Sequence, residues 1–168
     1  LASYPATAGL PVLREAIARW IKLRYQANID PATQIVPVTG SREALFSFAQ
    51  CVIDAGKPDP VVVCPNPFYQ IYEGGALLAG ATPYFLNSLP QNRYAANLAE
   101  LPDSVWRRTQ MIITCSPGNP TGHVLTLEDW KALFTCADRY GFVIASDECY
   151  SELYPRSEEH TSELQSRE

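Results

Sequence analysis

The strongest constraint on this chain is an alternation of short β-branched apolar runs with longer segments of helical periodicity. Pro60 to Cys64 reads Pro-Val-Val-Val-Cys, with no polar residue between the valines. Such a run suits a strand covered on both faces of a parallel sheet. Thr82 to Leu86, Gln110 to Cys115 and Phe142 to Ser146 are further strand candidates, and Ile35 to Thr39 is a shorter one. Helices are predicted between them. Leu10 to Tyr25 carries Leu13, Ile17, Trp20, Ile21 and Tyr25 along one stripe, with Gly9 ahead of it and Pro11 in its first turn. A second helix is predicted from about Arg42 to Ala55 with Gly56 as its C-terminal cap, and a third over Tyr69 to Leu78. The last begins at Thr126, whose spacing to Asp129 makes a capping box, and ends at Gly141. Alternation of this kind implies an α/β fold of three layers around a mostly parallel sheet.

The 168 residues are 46% hydrophobic and 18% charged, a globular profile. A net charge of -5 and the lack of a basic stripe argue against nucleic acid or an anionic membrane as partner and favour a small molecule. No apolar run approaches the roughly 20 residues of a membrane span. The five cysteines, Cys51, Cys64, Cys115, Cys136 and Cys149, are odd in number and lack a C-x-x-C pair. They read as reduced thiols of a cytoplasmic protein, used for packing, with no metal expected. The chain starts at Leu1 and its only methionine is Met111, so the true start is expected to lie upstream. Residues Arg156 to Glu168 are polar apart from Leu164, and the first eleven resemble a translated sequencing adapter. We expect residues 156–168 to be a non-native tail and residues 1–155 to be the domain proper.

In open α/β sheets ligands bind beyond the carboxyl ends of the strands. Four polar or glycine-rich segments follow predicted strands directly: Gly40 to Glu43, Pro65 to Tyr69, Ser116 to Gly122, and Asp147 to Tyr150. Ser116-Pro117-Gly118-Asn119-Pro120-Thr121-Gly122 is the most specific. Its prolines and glycines fix an irregular turn and leave the Asn119 amide with donor and acceptor to offer.

Taken together, the Asn119-Pro120-Thr121-Gly122 turn and the Asp147 to Tyr150 segment resemble fold-type I pyridoxal-phosphate enzymes, specifically class I/II aminotransferases. The resemblance covers about Tyr4 to Tyr154 and implies an incomplete large, cofactor-binding domain of that fold. It implies that Asn119 hydrogen-bonds the phenolic oxygen of pyridoxal 5'-phosphate and that Tyr150 is the second donor there. Asp147 would pair with the pyridine nitrogen and keep it protonated, so that the ring accepts electrons. Thr39-Gly40-Ser41-Arg42-Glu43-Ala44 looks like the family's phosphate cup, with the Ser41 and Arg42 amides at a helix N-terminus. Pro65-Asn66-Pro67-Phe68-Tyr69 looks like the loop that stacks an aromatic ring on the cofactor; alignment on Pro67 selects Tyr69, with Phe68 as the competing choice. Tyr4 matches a tyrosine that reaches the phosphate of the other subunit, which implies a homodimer.

The stretches Pro65 to Gly74 and Asp147 to Tyr154 are most similar to succinyldiaminopimelate aminotransferases of lysine biosynthesis. That implies N-succinyl-L,L-diaminopimelate as amino donor and 2-oxoglutarate as acceptor. The resemblance implies that the Schiff-base lysine lies in a Ser-x-x-Lys segment beyond the end of this chain, and Lys22, Lys57 and Lys131 all read as solvated. The chain alone is therefore expected to be inactive. Another fold-type I enzyme, a different aminotransferase or a lyase, is the alternative. A nucleotide-binding module is excluded by the spacing around Gly40, which fits neither phosphate-loop pattern.

Overall fold

The computed structural model describes residues 4–153 of the chain; Tyr154 and the expected tail at 156–168 lie outside them. Two compact units divide the chain, one ending at Thr39 and one beginning at Gly40.

The first unit is built on helix α1 (Pro11–Tyr25), with Pro11 in its first turn as predicted. The Arg14 guanidinium donates to the Pro31 and Ala32 carbonyls at 3.1 and 3.2 Å and ties the following turn back to the helix. Gly9 is needed where it stands. Its φ is +75°, and a Cβ there would meet Pro37 Cγ at 2.7 Å. No residue of α1 is fully buried: Leu13 and Trp20 of its apolar stripe are exposed, and Ile17, Ile21 and Tyr25 are half-covered. A unit of about forty residues has too little chain to bury both faces of a four-turn helix. Ile35 to Thr39 is a correction to the sequence reading. It belongs to no ladder, since Pro37 offers no amide and Val36 and Val38 are exposed.

The second unit contains α2 (Ser41–Val52), β1 (Val61–Asn66), α3 (Gln70–Leu78), β2 (Thr82–Asn87), α4 (Asp103–Trp106), β3 (Thr109–Cys115), α5 (Leu127–Tyr140) and β4 (Val143–Asp147). The four strands form one parallel sheet in the order β2-β1-β3-β4. One face is covered by α2 and α3, through Ala49, Val62, Cys64, Tyr72, Ala76 and Met111. The other is covered by α4 and α5, through Val61, Val63, Trp106, Ile112 and Leu133. The uninterrupted valines of β1 thus face helices on both sides, as their pattern requires. Each such buried side chain contributes on the order of 1.5–3 kcal/mol.

Element ends follow local chemistry. Thr126 and Asp129 form a reciprocal capping box at the start of α5, and Gly141 ends it with φ +76°. Helix α2, by contrast, stops at Val52 instead of running to a Gly56 cap. Ile53 is extended, and the Asp54 carboxylate accepts from the Gly56 amide at 2.9 Å, so an Asx turn replaces the last helical turn. Two 3-10 turns, Pro90–Asn92 and Leu98–Glu100, and the short α4 have no periodic signature and were not foreseen.

Candidate functional site

All four strands point the same way, so Asn66, Asn87, Cys115 and Asp147 end at one edge of the sheet. Three of the four segments singled out in the sequence begin there. Asp147 is 7% exposed at the end of β4, as register partner of Cys115. The Tyr72 hydroxyl, buried in α3, donates to Asp147 Oδ2 at 2.7 Å, and the Cys149 amide donates to Oδ1 at 3.3 Å. A buried carboxylate is thereby held in one orientation with lone pairs left to accept. Burial first, and then the Asp147 carboxylate, hold the Tyr72 hydroxyl far above the usual tyrosine range. It is a fixed neutral donor.

The turn after β3 is closed by its own hydrogen bonds, Gly118 N to His123 O at 2.8 Å and Gly122 N to Gly118 O at 2.7 Å. A Cβ on Gly118 would meet Thr121 Oγ1 at 2.8 Å, and Gly122 has φ +69°. This geometry presents Asn119, whose Nδ2 donates to the Tyr150 hydroxyl at 3.3 Å. The Ser116 amide also donates to the Asp147 carbonyl at 3.3 Å, stitching that turn to the end of β4. Asn119, Tyr150 and Asp147, drawn from segments about thirty residues apart, therefore converge at one sheet edge.

Phe68 and Tyr69 separate clearly. Phe68 stacks on Phe85 with ring centroids 4.7 Å apart and packs against the core. Tyr69, 37% exposed, stands edge-on to Tyr72 at 6.1 Å, which links it to Asp147. Ser41 and Arg42 open α2, behind an extended Gly40 and without a side-chain cap, so the first-turn amides are free to bind an anion. The far end of α2 is anchored to the amino-terminal edge of the sheet: Asp54 N donates to Gln110 Oε1 at 2.7 Å, and Gln110 Nε2 donates back to Asp54 O at 3.0 Å. Twelve residues of helix reach back about 18 Å, close to the length of a six-residue strand. Ser41 and Arg42 stand at the opposite end of the helix from that anchor. Tyr4 is different: it lies in the first unit and is 98% exposed.

Next to Asn119 opens a cavity of about 330 Å³ that Tyr72, Cys115, Gly118 and Thr121 also line. It is mostly apolar and extends under the α5 face to Val63, Ile112 and Leu133. Two of the three lysines lie elsewhere in the second unit. Lys57 lines a polar cleft with Arg108 and Gln110 at the opposite edge, and Lys131 pairs with Glu128 at 3.2 Å on the exposed side of α5. Lys22 is part of α1.

The family model of class I and II aminotransferases matches residues 1–166. The chain belongs to the class I and II aminotransferase family. The LL-diaminopimelate aminotransferase of Aquifex aeolicus is 36% identical over 162 residues, 96% of this chain and 41% of that protein. Its counterpart in Desulforudis audaxviator is 34% identical over 150 residues, 89% and 38% respectively. The crystal structure of an aminotransferase from Neisseria meningitidis superposes with a TM-score of 0.88 at 50% identity, over 92% of this chain and 39% of that one. An aminotransferase from Helicobacter pylori does so with 0.85 at 32% identity, covering 94% and 41%. The chain spans about two-fifths of the length of the relatives it matches. The Aquifex and Desulforudis relatives are named for LL-diaminopimelate, without the succinyl group expected from the sequence.

Class I and II aminotransferases use pyridoxal 5'-phosphate, and the donor set fits that group. A buried, tyrosine-anchored carboxylate suits a protonated ring nitrogen, and an amide beside a phenol suits an anionic oxygen. Sequence reasoning passed over Tyr72, because it sits among the apolar residues that α3 buries. Its signal was its place one turn into the helix that Tyr69 caps, where the two rings meet edge-on.

Proposed function

We propose that this chain is part of a pyridoxal-phosphate-dependent aminotransferase that takes its amino group from N-succinyl-L,L-diaminopimelate and passes it to 2-oxoglutarate. The observation that carries the reading is the convergence of Asn119, Tyr150 and the Tyr72–Asp147 pair at the carboxyl edge, in a chain of this family. The bound cofactor supplies an electron-withdrawing ring that stabilises negative charge at the substrate α-carbon. The residues here bind and orient it. Asp147 holds a proton at the ring nitrogen, and Tyr72 holds Asp147. Asn119 and Tyr150 donate to the phenolic oxygen, Tyr69 covers one ring face, and the Ser41 and Arg42 amides take the phosphate. Tyr4 reaches the phosphate of the partner in a homodimer, and the enzyme works in the cytoplasm.

The succinylated donor is favoured by the Pro65 to Gly74 and Asp147 to Tyr154 stretches. Free L,L-diaminopimelate is the second reading, favoured by the names of the Aquifex and Desulforudis relatives. Glutamate formation by the full-length protein with each donor separates them. Faster turnover of the succinylated donor is expected; faster turnover of the free one supports the second reading, and no turnover of either contradicts both. None of Lys22, Lys57 and Lys131 serves as the site's amine. Borohydride reduction of the 168-residue chain with pyridoxal phosphate should therefore leave no stoichiometric adduct at any single lysine, and a unique adduct in the mass spectrum would contradict this.

A further inference from the structure

We propose that the apolar cavity beside the Asn119 turn is a binding site for a small neutral ring carrying one hydroxyl, a ligand of the phenol class. The cavity runs from that turn into the space between the sheet and α5, where Val63, Ile112 and Leu133 wall it. All of its lining belongs to the second unit. Its volume of about 330 Å³ exceeds the ~150 Å³ of an apolar protein cavity that takes up benzene.

Two polar atoms interrupt the apolar wall. Thr114 Oγ1 and His123 Nε2 are shut off from solvent, neither finds a hydrogen-bond partner among the described residues, and both residues line the cavity. Side chains alternate along β3: Ile113 belongs to the core cluster of Tyr72, whereas Ile112 belongs to that of Leu133 on the α5 side. Thr114, two residues after Ile112, therefore takes the α5 face, and Cys115, the register partner of Asp147, takes the other. The unpartnered hydroxyl thus lies across the sheet from the carboxylate. His123 is fixed by the turn itself, its carbonyl accepting from the Gly118 amide at 2.8 Å and its amide donating to Thr121 Oγ1 at 3.3 Å.

Buried polar groups are nearly always hydrogen-bonded in folded proteins, because leaving one unpaired costs free energy. Two orphans in one apolar cavity select an occupant with an apolar body and a single polar end. The lining also selects its charge. Among the described residues around the cavity there is no lysine or arginine, so an anion would be buried unpaired. The one carboxylate there, Asp129, serves the α5 cap, accepting from the Thr126 amide at 2.8 Å and hydroxyl at 2.7 Å. A neutral hydroxyl fits both orphans, because it accepts from Thr114 Oγ1 while donating to His123 Nε2.

The inference does not rest on the cofactor reading, and its test keeps the two apart. 4-Fluorophenol is titrated into the full chain and followed through its fluorine resonance. One saturable site is expected, and fluorobenzene, which lacks the hydroxyl, should bind about three- to tenfold more weakly. Nuclear Overhauser contacts from the probe to the Ile112 and Leu133 methyls should locate it without any substitution. In a Thr114→Val/His123→Leu double variant, with its fold verified by circular dichroism, the two probes should bind alike. Saturating pyridoxal phosphate should leave the probe bound. No saturable binding, equal affinity of both probes for the wild-type chain, or a preference for the phenol that survives in the double variant overturns the proposal. Displacement of the probe by pyridoxal phosphate also overturns it, by placing the probe in the cofactor site, and leaves the cofactor reading standing.

Discussion

Tyr72 shows how much one hydroxyl determines. It satisfies a carboxylate that is 7% exposed, and its own ring packs in the core at 3%. Tyr72→Phe keeps the packing and removes the donor, leaving Asp147 Oδ2 buried without a partner. An unsatisfied buried acceptor costs about 1–3 kcal/mol, so the urea midpoint should fall accordingly; an unchanged midpoint would mean the hydrogen bond contributes nothing net. Cys64 makes a second residue-level prediction. It is fully buried, and burial, followed by the Glu73 charge, pushes its thiol from 9.0 up to about 12. A folded-state value raised above the unfolded one gives stability that is complete below about pH 9 and lost as pH rises toward 12. Over that window the thiol contributes a slope of up to about 1.4 kcal/mol per pH unit. Unfolding measured at several pH values should show the alkaline decline of the wild type flattened in Cys64→Ala. An identical slope in both proteins would show that Cys64 does not titrate in this way.

The elements were legible where local chemistry decides them. The capping box of α5 needs only Thr126 and Asp129, and the three valines of β1 announce a strand covered on both faces. Where tertiary partners decide, sequence reasoning failed. Gly56 looked like a cap, but the Asp54 side chain and the Gln110 contact end α2 three residues earlier, with Ile53 as its cap. Ile35 to Thr39 has strand composition but no ladder. Of the candidate site, the segments that follow strands were visible, whereas the Tyr72–Asp147 contact exists only once helix and strand are packed. Two substitutions test the element scale. Thr126→Ala should cost about 0.5–2 kcal/mol through loss of the cap, read from the urea midpoint, and no loss would mean the box is not formed in solution. Gly75 sits where α3 crosses α2, and a Cβ there would lie 3.3 Å from Ala49 Cβ and 3.6 Å from Phe46 Cα. Gly75→Leu should therefore push the helices apart and cost about 1–3 kcal/mol. It should also weaken phosphate binding at the start of α2, and inorganic phosphate bound equally well by both proteins would contradict that link.

At the scale of the whole molecule, the second unit places chemistry at one edge of a parallel sheet and anchors α2 at the other. Among the described residues β4 pairs with β3 alone, and Val143 on it is 40% exposed. An unpaired strand edge of this kind templates association. Val143→Lys should lower self-association in light scattering without changing the circular dichroism spectrum; equal scattering from both proteins would place the contact elsewhere. The proposed cofactor site depends above all on Asp147 as the partner of a protonated ring nitrogen. Its most direct test is the dissociation constant of pyridoxal phosphate, measured for the wild-type chain and for Asp147→Asn with its fold verified by circular dichroism. A hydrogen bond to a charged group is worth about 1.5–3 kcal/mol, so the variant should bind about ten- to a hundredfold more weakly. Equal affinity in the two proteins would contradict the account.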